Sequence, residues 1–380
     1  SKPSMSKSEA NIEETVLEID LNALAHNYHY LRSKIEPTTK MMAVVKAFGY
    51  GSDSVEVSKE LVTLGIDYFA VAYAHEGEKL RENGIRTPIL VLHSLPSNFD
   101  VILKKCLEPS IYSLKILKEF IAFVEEHQQK EYPIHIKFNT GLNRLGFSEF
   151  DMEEIVAILS KTQSVKVKSV FSHLAASEDL SEKEFTLTQI EKFTFYSNQF
   201  IQKLGYQPLQ HTLNTSGILN YPDAQFDMVR TGIGLYGFGN DPKFDIHLKP
   251  IGELKTIISQ IHEVPKGESL GYNRAFTASK DTKTATLPLG HADGISRIYG
   301  NGAGWVTIHG KKALIVGNVC MDMIMVDVTG IDCKEGDEVL FFGENPTADS
   351  IATSAKTISY ELITAISQRV KRVFKRKQRS

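Results

Sequence analysis

Two patterns alternate between residues 41 and 236. Short apolar, β-branched runs fall at 41–45, 68–72, 88–92, 109–113, 134–138, 167–171, 210–214 and 227–233. Between them, apolar residues recur at helical spacing over 54–65, 75–83, 113–127 and 181–205. Runs too short for helices, alternating with period-3.6 stretches, predict βαβ units and a parallel sheet. Eight strands in about 200 residues fit a (β/α)8 barrel. A doubly wound open sheet is the alternative, weakened because no GxGxxG follows the first strand.

Past residue 248 the texture changes. Strand-like runs at 256–265, 284–290, 305–317, 323–330 and 337–343 are separated by Gly, Asn, Asp and Lys, and only 354–374 reads as helical. Turn signals every 8–12 residues or so mark a mostly-β domain. The organisation expected is a polar, disordered leader at 1–14, a barrel at 15–247 and a β domain at 248–380.

Composition narrows the classes. Apolar residues make up 42% and charged residues 23% of the chain, as in ordinary globular proteins. The formal net charge of −3 offers nothing to nucleic acid or to a membrane surface. The one basic run, at 371–379, reads as a solvated tail. The leader lacks the apolar core of a signal peptide, and no run approaches the roughly 18 apolar residues of a spanning helix. Three cysteines, Cys106, Cys320 and Cys333, with no CxxC suggest neither a disulfide framework nor a zinc site, and fit a reducing cytoplasm.

Barrel chemistry sits at the C-terminal ends of the strands. Reading those ends yields Lys46, Lys137, Arg144, His173, Asn214, Thr215 and Arg230 on one face. Lys46 follows four apolar residues; there, desolvation and neighbouring cations would lower its pKa and free an amine for Schiff-base chemistry. A lysine snorkelling from a strand end is the plainer reading. Thr231, Gly232, Ile233 and Gly234, with Thr215 nearby, suggest a phosphate anchor, or simply a tight turn. Arg230 lies inside a strand, where a cation needs a partner; it is either a structural ion pair or a donor to a cofactor's ring nitrogen.

The segments AVVKAFGYG, HIKFNTGLNRLGF, FSHLAASED, HTLNTSG, DMVRTGIGLYG, LGYNRAF, TLPLGHADGISR, VGNVCMDMIMVDV and TISYELITAIS occur in this order. In order and spacing they resemble the alanine racemase family, over about Leu17 to Arg372. The resemblance implies a pyridoxal 5'-phosphate enzyme of fold type III that interconverts L- and D-alanine and works as a homodimer with shared sites. It further implies cytoplasmic supply of D-alanine for peptidoglycan. Carried over, Lys46 holds the cofactor as a Schiff base and acts as one acid/base, while Tyr272 of the other subunit is the second. His173 and Arg230 tune that phenol, and His211 supports Arg230. Tyr50, Thr215, Gly232, Ile233 and Tyr360 resemble phosphate ligands. Arg144 and the Met321 N–H resemble a clamp on the substrate carboxylate, with Asp322 at the mouth of the site. Lys137 resembles a lysine often carbamylated.

Five positions depart from the family's pattern. His291 and Asn318 stand where a gateway tyrosine and arginine are usual; Asn139 replaces an aspartate, and Phe48 and Gly49 alter the stretch after Lys46. Three other readings stay open: a racemase of serine or another small amino acid, a decarboxylase of the same fold type, and a non-catalytic pyridoxal-phosphate carrier. Arg230 opposes the decarboxylase, whose ring-nitrogen partner is usually glutamate. The long segment after Leu248 opposes the carrier.

Overall fold

The computed structural model describes residues 14–378, so the leader expected at 1–14 lies, but for Glu14, outside the described residues. The described residues form two compact units, one of Ala25–Gly49 with Ser54–Leu248, the other of 14–24, Tyr50–Asp53 and 249–378.

The first strand, β1 (Val16–Asp20), belongs to the second unit. The barrel strands are β2 (Lys40–Val44), β3 (Tyr68–Val71), β4 (Ile89–Val91), β5 (Glu108–Ile111), β6 (Tyr132–Lys137), β7 (Val165–Phe171), β8 (Leu209–His211) and β9 (Met228–Thr231). They pair in parallel in the order β8-β7-β6-β5-β4-β3-β2-β9. Between β8 and β9, Asp227 N donates to Gln210 O at 3.0 Å and Arg230 N to Leu213 O at 2.9 Å, which nearly closes the ring. All eight expected strands are present and the open sheet is excluded.

Local sequence explains the helices between them. In Leu114–Glu126, the Ser113 hydroxyl caps the N-terminus by accepting from Ile116 N, and Ile116, Leu117, Phe120, Ile121 and Val124 form the buried stripe. The helix Lys183–Leu204 stops at Gly205, whose φ of 86° favours a residue without Cβ. Inside the barrel, Met42, Tyr68, Ala70, Leu90, Phe171 and Met228 pack as one apolar cluster.

The other unit is a nine-stranded sheet. It runs from Gln260–Val264 through Thr282–Leu287, Ile324–Asp327, Lys311–Val316, Trp305–Ile308, Glu338–Phe342 and Gly252–Ile257 to β1 and Lys371–Lys375. Three expectations need correction here. β1, expected with the barrel, pairs antiparallel with Gly252–Ile257 and parallel with Lys371–Lys375. The stretch 354–374 is not one helix: Ala348–Ser354 and Ser359–Thr364 are helical, and the chain then turns into that last strand. The basic run is therefore no solvated tail. Lys375 pairs with Glu18 at 2.6 Å, and Lys377 with Glu253. Among the described residues, no helix is long and apolar enough to cross a membrane.

Candidate active site

Lys46 stands just past the end of β2, at the start of an unusual turn. Ala47, Phe48 and Gly49 have φ of 52°, 57° and 61°, and Tyr50 follows at 50°. A left-handed helix costs L-residues about 1–2 kcal/mol each. A residue with Cβ does not fit at Gly49, where that atom would sit 2.9 Å from the Ser54 backbone. The Glu76 carboxylate holds the turn: one oxygen accepts from Ala47 N at 2.8 Å, the other from Ala72 N and Tyr73 N at 2.8 and 2.9 Å.

The mouth of the barrel gathers cations. Burial first, then Arg144 and Arg230, push the Lys46 amine below its ordinary pKa, against the pull of Glu76. Burial and the same two arginines bring Lys137 down to about 8. Lys137 is buried at the end of β6, with its Nζ 5.9 Å from the centre of the Phe171 ring. Arg144 is exposed in the next loop. Asn139 shapes that loop by accepting from Gly141 N and Asn143 N, both at 3.0 Å, so an amide serves where an aspartate is usual.

Arg230 is buried in β9, and among the described residues no carboxylate lies within ion-pair distance of it. It donates instead to His211 Nδ1 at 2.7 Å, His173 Nδ1 at 3.2 Å and Ser172 O at 2.9 Å. The Phe171 ring lies 5.4 Å from the guanidinium carbon and stacks on His211 at 4.8 Å. A guanidinium has no lone pair to offer, so both imidazoles accept from it and carry their single proton on Nε2. Burial and then Arg230 hold both histidines well below the ordinary imidazole pKa. Burial brings Arg230 to about 10, so it stays charged at neutral pH.

Beside this cluster lies a cradle for an anion. Thr215 Oγ1 and Thr231 Oγ1 are 2.8 Å apart and buried, and Gly234 N donates to Thr215. The N–H groups of Gly232 and Ile233 donate to no acceptor among the described residues. Buried amides left without partners fit a phosphate, which accepts several N–H bonds at once. A Cβ at Gly234 would sit 2.7 Å from Thr215 Cγ2.

The remaining expected residues lie in the β unit. Tyr50 and Tyr360 have ring centres 6.3 Å apart, and burial, then Tyr360, raises the Tyr50 phenol. Tyr272 sits at the tip of the hairpin joining Ser269–Leu270 to Phe276–Thr277 and is 76% exposed. Tyr272, His291, Asn318, Met321 and Asp322 line one open depression of about 1270 Å3. Arg369 bridges Asp293 and Asp322, at 2.6 and 2.8 Å.

Lys46, Lys137, Arg144, His173, His211, Thr215, Arg230, Gly232 and Ile233 thus fall in the barrel unit; Tyr50, Tyr272, Met321, Asp322 and Tyr360 fall in the β unit. Sequence reasoning missed Glu76, whose signal was a carboxylate at the third position of a helix following a strand.

Known proteins agree with this arrangement along nearly the whole chain. Residues 19–240 match the alanine racemase N-terminal domain and residues 251–374 the C-terminal domain. Alanine racemase 2 of Caldanaerobacter subterraneus subsp. tengcongensis is 37% identical over 373 residues, covering 96% of this chain and 95% of that protein. The structure of alanine racemase from Clostridium difficile 630 superposes with a TM-score of 0.89 at 34% identity, covering 96% of each chain. That from Bartonella henselae, with covalently bound pyridoxal phosphate, superposes at 0.87 with 28% identity, covering 95% of this chain and 99% of that one. With both domains matched and the barrel ends furnished as described, the chain belongs to the alanine racemase family.

Proposed function

We propose that Lys46 and Tyr272 are the two bases of this protein's reaction, drawn from opposite subunits of a homodimer. The activity itself, pyridoxal-phosphate-dependent racemisation of alanine, follows from family membership. The orphaned amides and paired threonines of the cradle fit the cofactor. Thr215, Gly232 and Ile233 would hold its phosphate, with Tyr50 and Tyr360 as further ligands, and Arg230 would face its ring nitrogen. When bound, pyridoxal phosphate supplies an aldehyde that condenses with amines and a conjugated ring that spreads the charge left at Cα.

The rest falls to the protein. Lys46 Nζ, its pKa depressed by burial and by Arg144 and Arg230, gives up a proton more readily than an ordinary lysine and can take one back. Inversion needs a second base on the other face of the planar carbon, because one base returns the proton to the side it came from. Tyr272 Oη would serve there, with His173 and Arg230 tuning that phenol. Arg144 and the Met321 N–H orient the substrate carboxylate, and Asp322 lines the way in. Arg230 donates but never passes a proton, so it keeps the ring a weak electron sink and favours racemisation over side reactions. The observation that carries the reading is the Lys46 amine at the barrel mouth, its pKa lowered by burial and by Arg144 and Arg230, with Arg230 itself held by His211 and His173 rather than by a carboxylate. D-alanine made in the cytoplasm for peptidoglycan is the role that goes with it.

Subunit complementation tests the shared site. Lys46→Ala and Tyr272→Ala should each be inactive. Hybrid dimers mixing the two regain one intact site if Tyr272 serves its partner, and none if it serves its own chain. Hybrids that form but stay inactive overturn the proposal.

A further inference from the structure

Five successive barrel strands, β5 to β9, each contribute one buried polar side chain to a single hydrogen-bonded line: Glu108, His135, Ser169, His211 and Arg230. Strand register sets it up, with His135 opposite Ser169 across β6 and β7. Arg230 meets His211 Nδ1 at 2.7 Å, and His211 Nε2 meets Ser169 Oγ at 2.9 Å. Ser169 Oγ bonds His135 Nδ1, and His135 Nε2 meets Glu108 Oε1 at 2.8 Å. From β3, the Tyr68 hydroxyl donates to the same oxygen at 2.7 Å.

With His135 neutral, the ends of this line fix the direction of every bond in it. Arg230 can only donate, so His211 accepts at Nδ1 and must donate from Nε2. Ser169 accepts that bond, which leaves its one O–H for His135 Nδ1. His135 then donates from Nε2 to Glu108, and an ionised carboxylate can only accept. Against the raising effect of burial, the bonds from His135 and Tyr68 hold Glu108 below its ordinary pKa. With a donor-only group at one end and an acceptor-only group at the other, all links point the same way and reinforce one another. Glu108 is thereby the counter-charge that Arg230 lacks at contact distance.

We propose that Glu108, His135 and Ser169 are positioning residues for the reaction, acting through His211 to hold Arg230 as a fixed, fully charged donor and so to set how strongly the cofactor's ring draws charge from the substrate. The inference rests on the reading that Arg230 faces the ring nitrogen. A core network with no such role needs only satisfied hydrogen bonds; it does not predict an effect on reaction outcome. Glu108→Gln removes the charge and lets the last link run either way. Ser169→Ala cuts the line, and Ser169→Thr keeps the hydroxyl.

The test measures three quantities on the holoenzyme: pyruvate formed per racemisation event, the absorption spectrum of the bound cofactor, and the 15N shifts of labelled histidines. Wild type should show His135 and His211 as neutral imidazoles protonated at Nε2. Ser169→Ala and Glu108→Gln should raise pyruvate per turnover by about tenfold, the low end for outer partners of a bound group, and shift the spectrum. Ser169→Thr should restore both. The proposal falls if Ser169→Ala and Glu108→Gln lower activity with pyruvate partition and spectrum unchanged, or if His211 proves protonated at Nδ1. Arg230→Gln separates the two levels. If it too leaves partition and spectrum unchanged, the reading of Arg230 is at fault; if it alone changes them, only the line is.

Discussion

The Glu76 carboxylate, in the helix after β3, accepts from the backbone N–H of Ala47 at 2.8 Å and so grips the residue that follows Lys46 at the end of the neighbouring β2. Its other oxygen caps the helix Ala74–Glu82, so one side chain ties a strained left-handed turn to a regular element. Glu76→Ala leaves three N–H groups without their charged acceptor and should cost about 3 kcal/mol in urea unfolding. Glu76→Gln keeps an acceptor and should cost less. Because Glu76 opposes the depression of the Lys46 pKa, both variants should bring the amine's ionisation to lower pH, read from the pH dependence of cofactor reconstitution. A Glu76→Ala protein with wild-type stability and the same pH dependence would show that the turn holds itself.

What the sequence made legible was local. Lys46, Lys137 and Arg230 announce themselves because a charged residue at or near the end of an apolar run has few explanations. Pairing between distant segments is another matter. Val16–Asp20 reads as a strand on its face, but its partners lie more than 230 residues downstream, and nothing in VLEID says so. The strand Lys371–Lys375 is hidden because its charges look solvated, although three of its five positions are half-buried. Glu108 is hidden because the apolar run at 109–113 begins one residue after it, and His135 because a lone histidine in an apolar strand usually means a satisfied core group. Only the register across β5, β6 and β7 turns these residues into a line.

Gly234 should prove irreplaceable for the cofactor rather than for the fold. An added methyl would sit 2.7 Å from Thr215 Cγ2 and 3.2 Å from its hydroxyl, so Thr215 must move off Thr231. Gly234→Ala is therefore expected to weaken pyridoxal-phosphate binding by about tenfold or more, the cost of losing roughly one charge-assisted hydrogen bond. Unfolding of the cofactor-free protein should change far less. Fluorescence titration with the cofactor checks the first, urea denaturation the second. Equal affinity in wild type and variant would remove Thr215 from the phosphate site.

Arg372 shows what the basic C-terminal run does. Its guanidinium donates to Gly51 O at 2.8 and 3.0 Å, to Ile366 O at 2.7 Å and to Val370 O at 2.8 Å. Lysine keeps the charge but cannot span several carbonyls with one planar fork. Arg372→Lys should then destabilise the protein by about 2 kcal/mol through carbonyls left without donors. If lysine serves as well as arginine in equilibrium unfolding, charge alone matters here.

Lys137 ties stability to pH and to carbon dioxide. Its folded pKa of about 8 lies below the ordinary 10.5, so between those values the unfolded chain binds more protons than the native one. Stability therefore rises with pH across that window, and the full cost of burying the cation is present below about pH 8. Lys137→Met should remove that cost, gaining up to about 3 kcal/mol at pH 7 and nothing once the pH passes the ordinary value. The same depression leaves about a tenth of the amine unprotonated at pH 7, against far less than a hundredth for an ordinary lysine. That neutral amine can add carbon dioxide, its nitrogen bonding to the carbon and releasing a proton to solvent, which replaces a cation crowded by Arg144, Arg230 and Lys46 with a carbamate anion they would stabilise. Bicarbonate should then raise the unfolding temperature of the wild type but not of Lys137→Met, by mass action on the folded state. Labelled bicarbonate should yield a carbamate carbonyl signal that disappears in the variant. Identical bicarbonate responses in the two proteins would mean that Lys137 stays an ordinary buried amine.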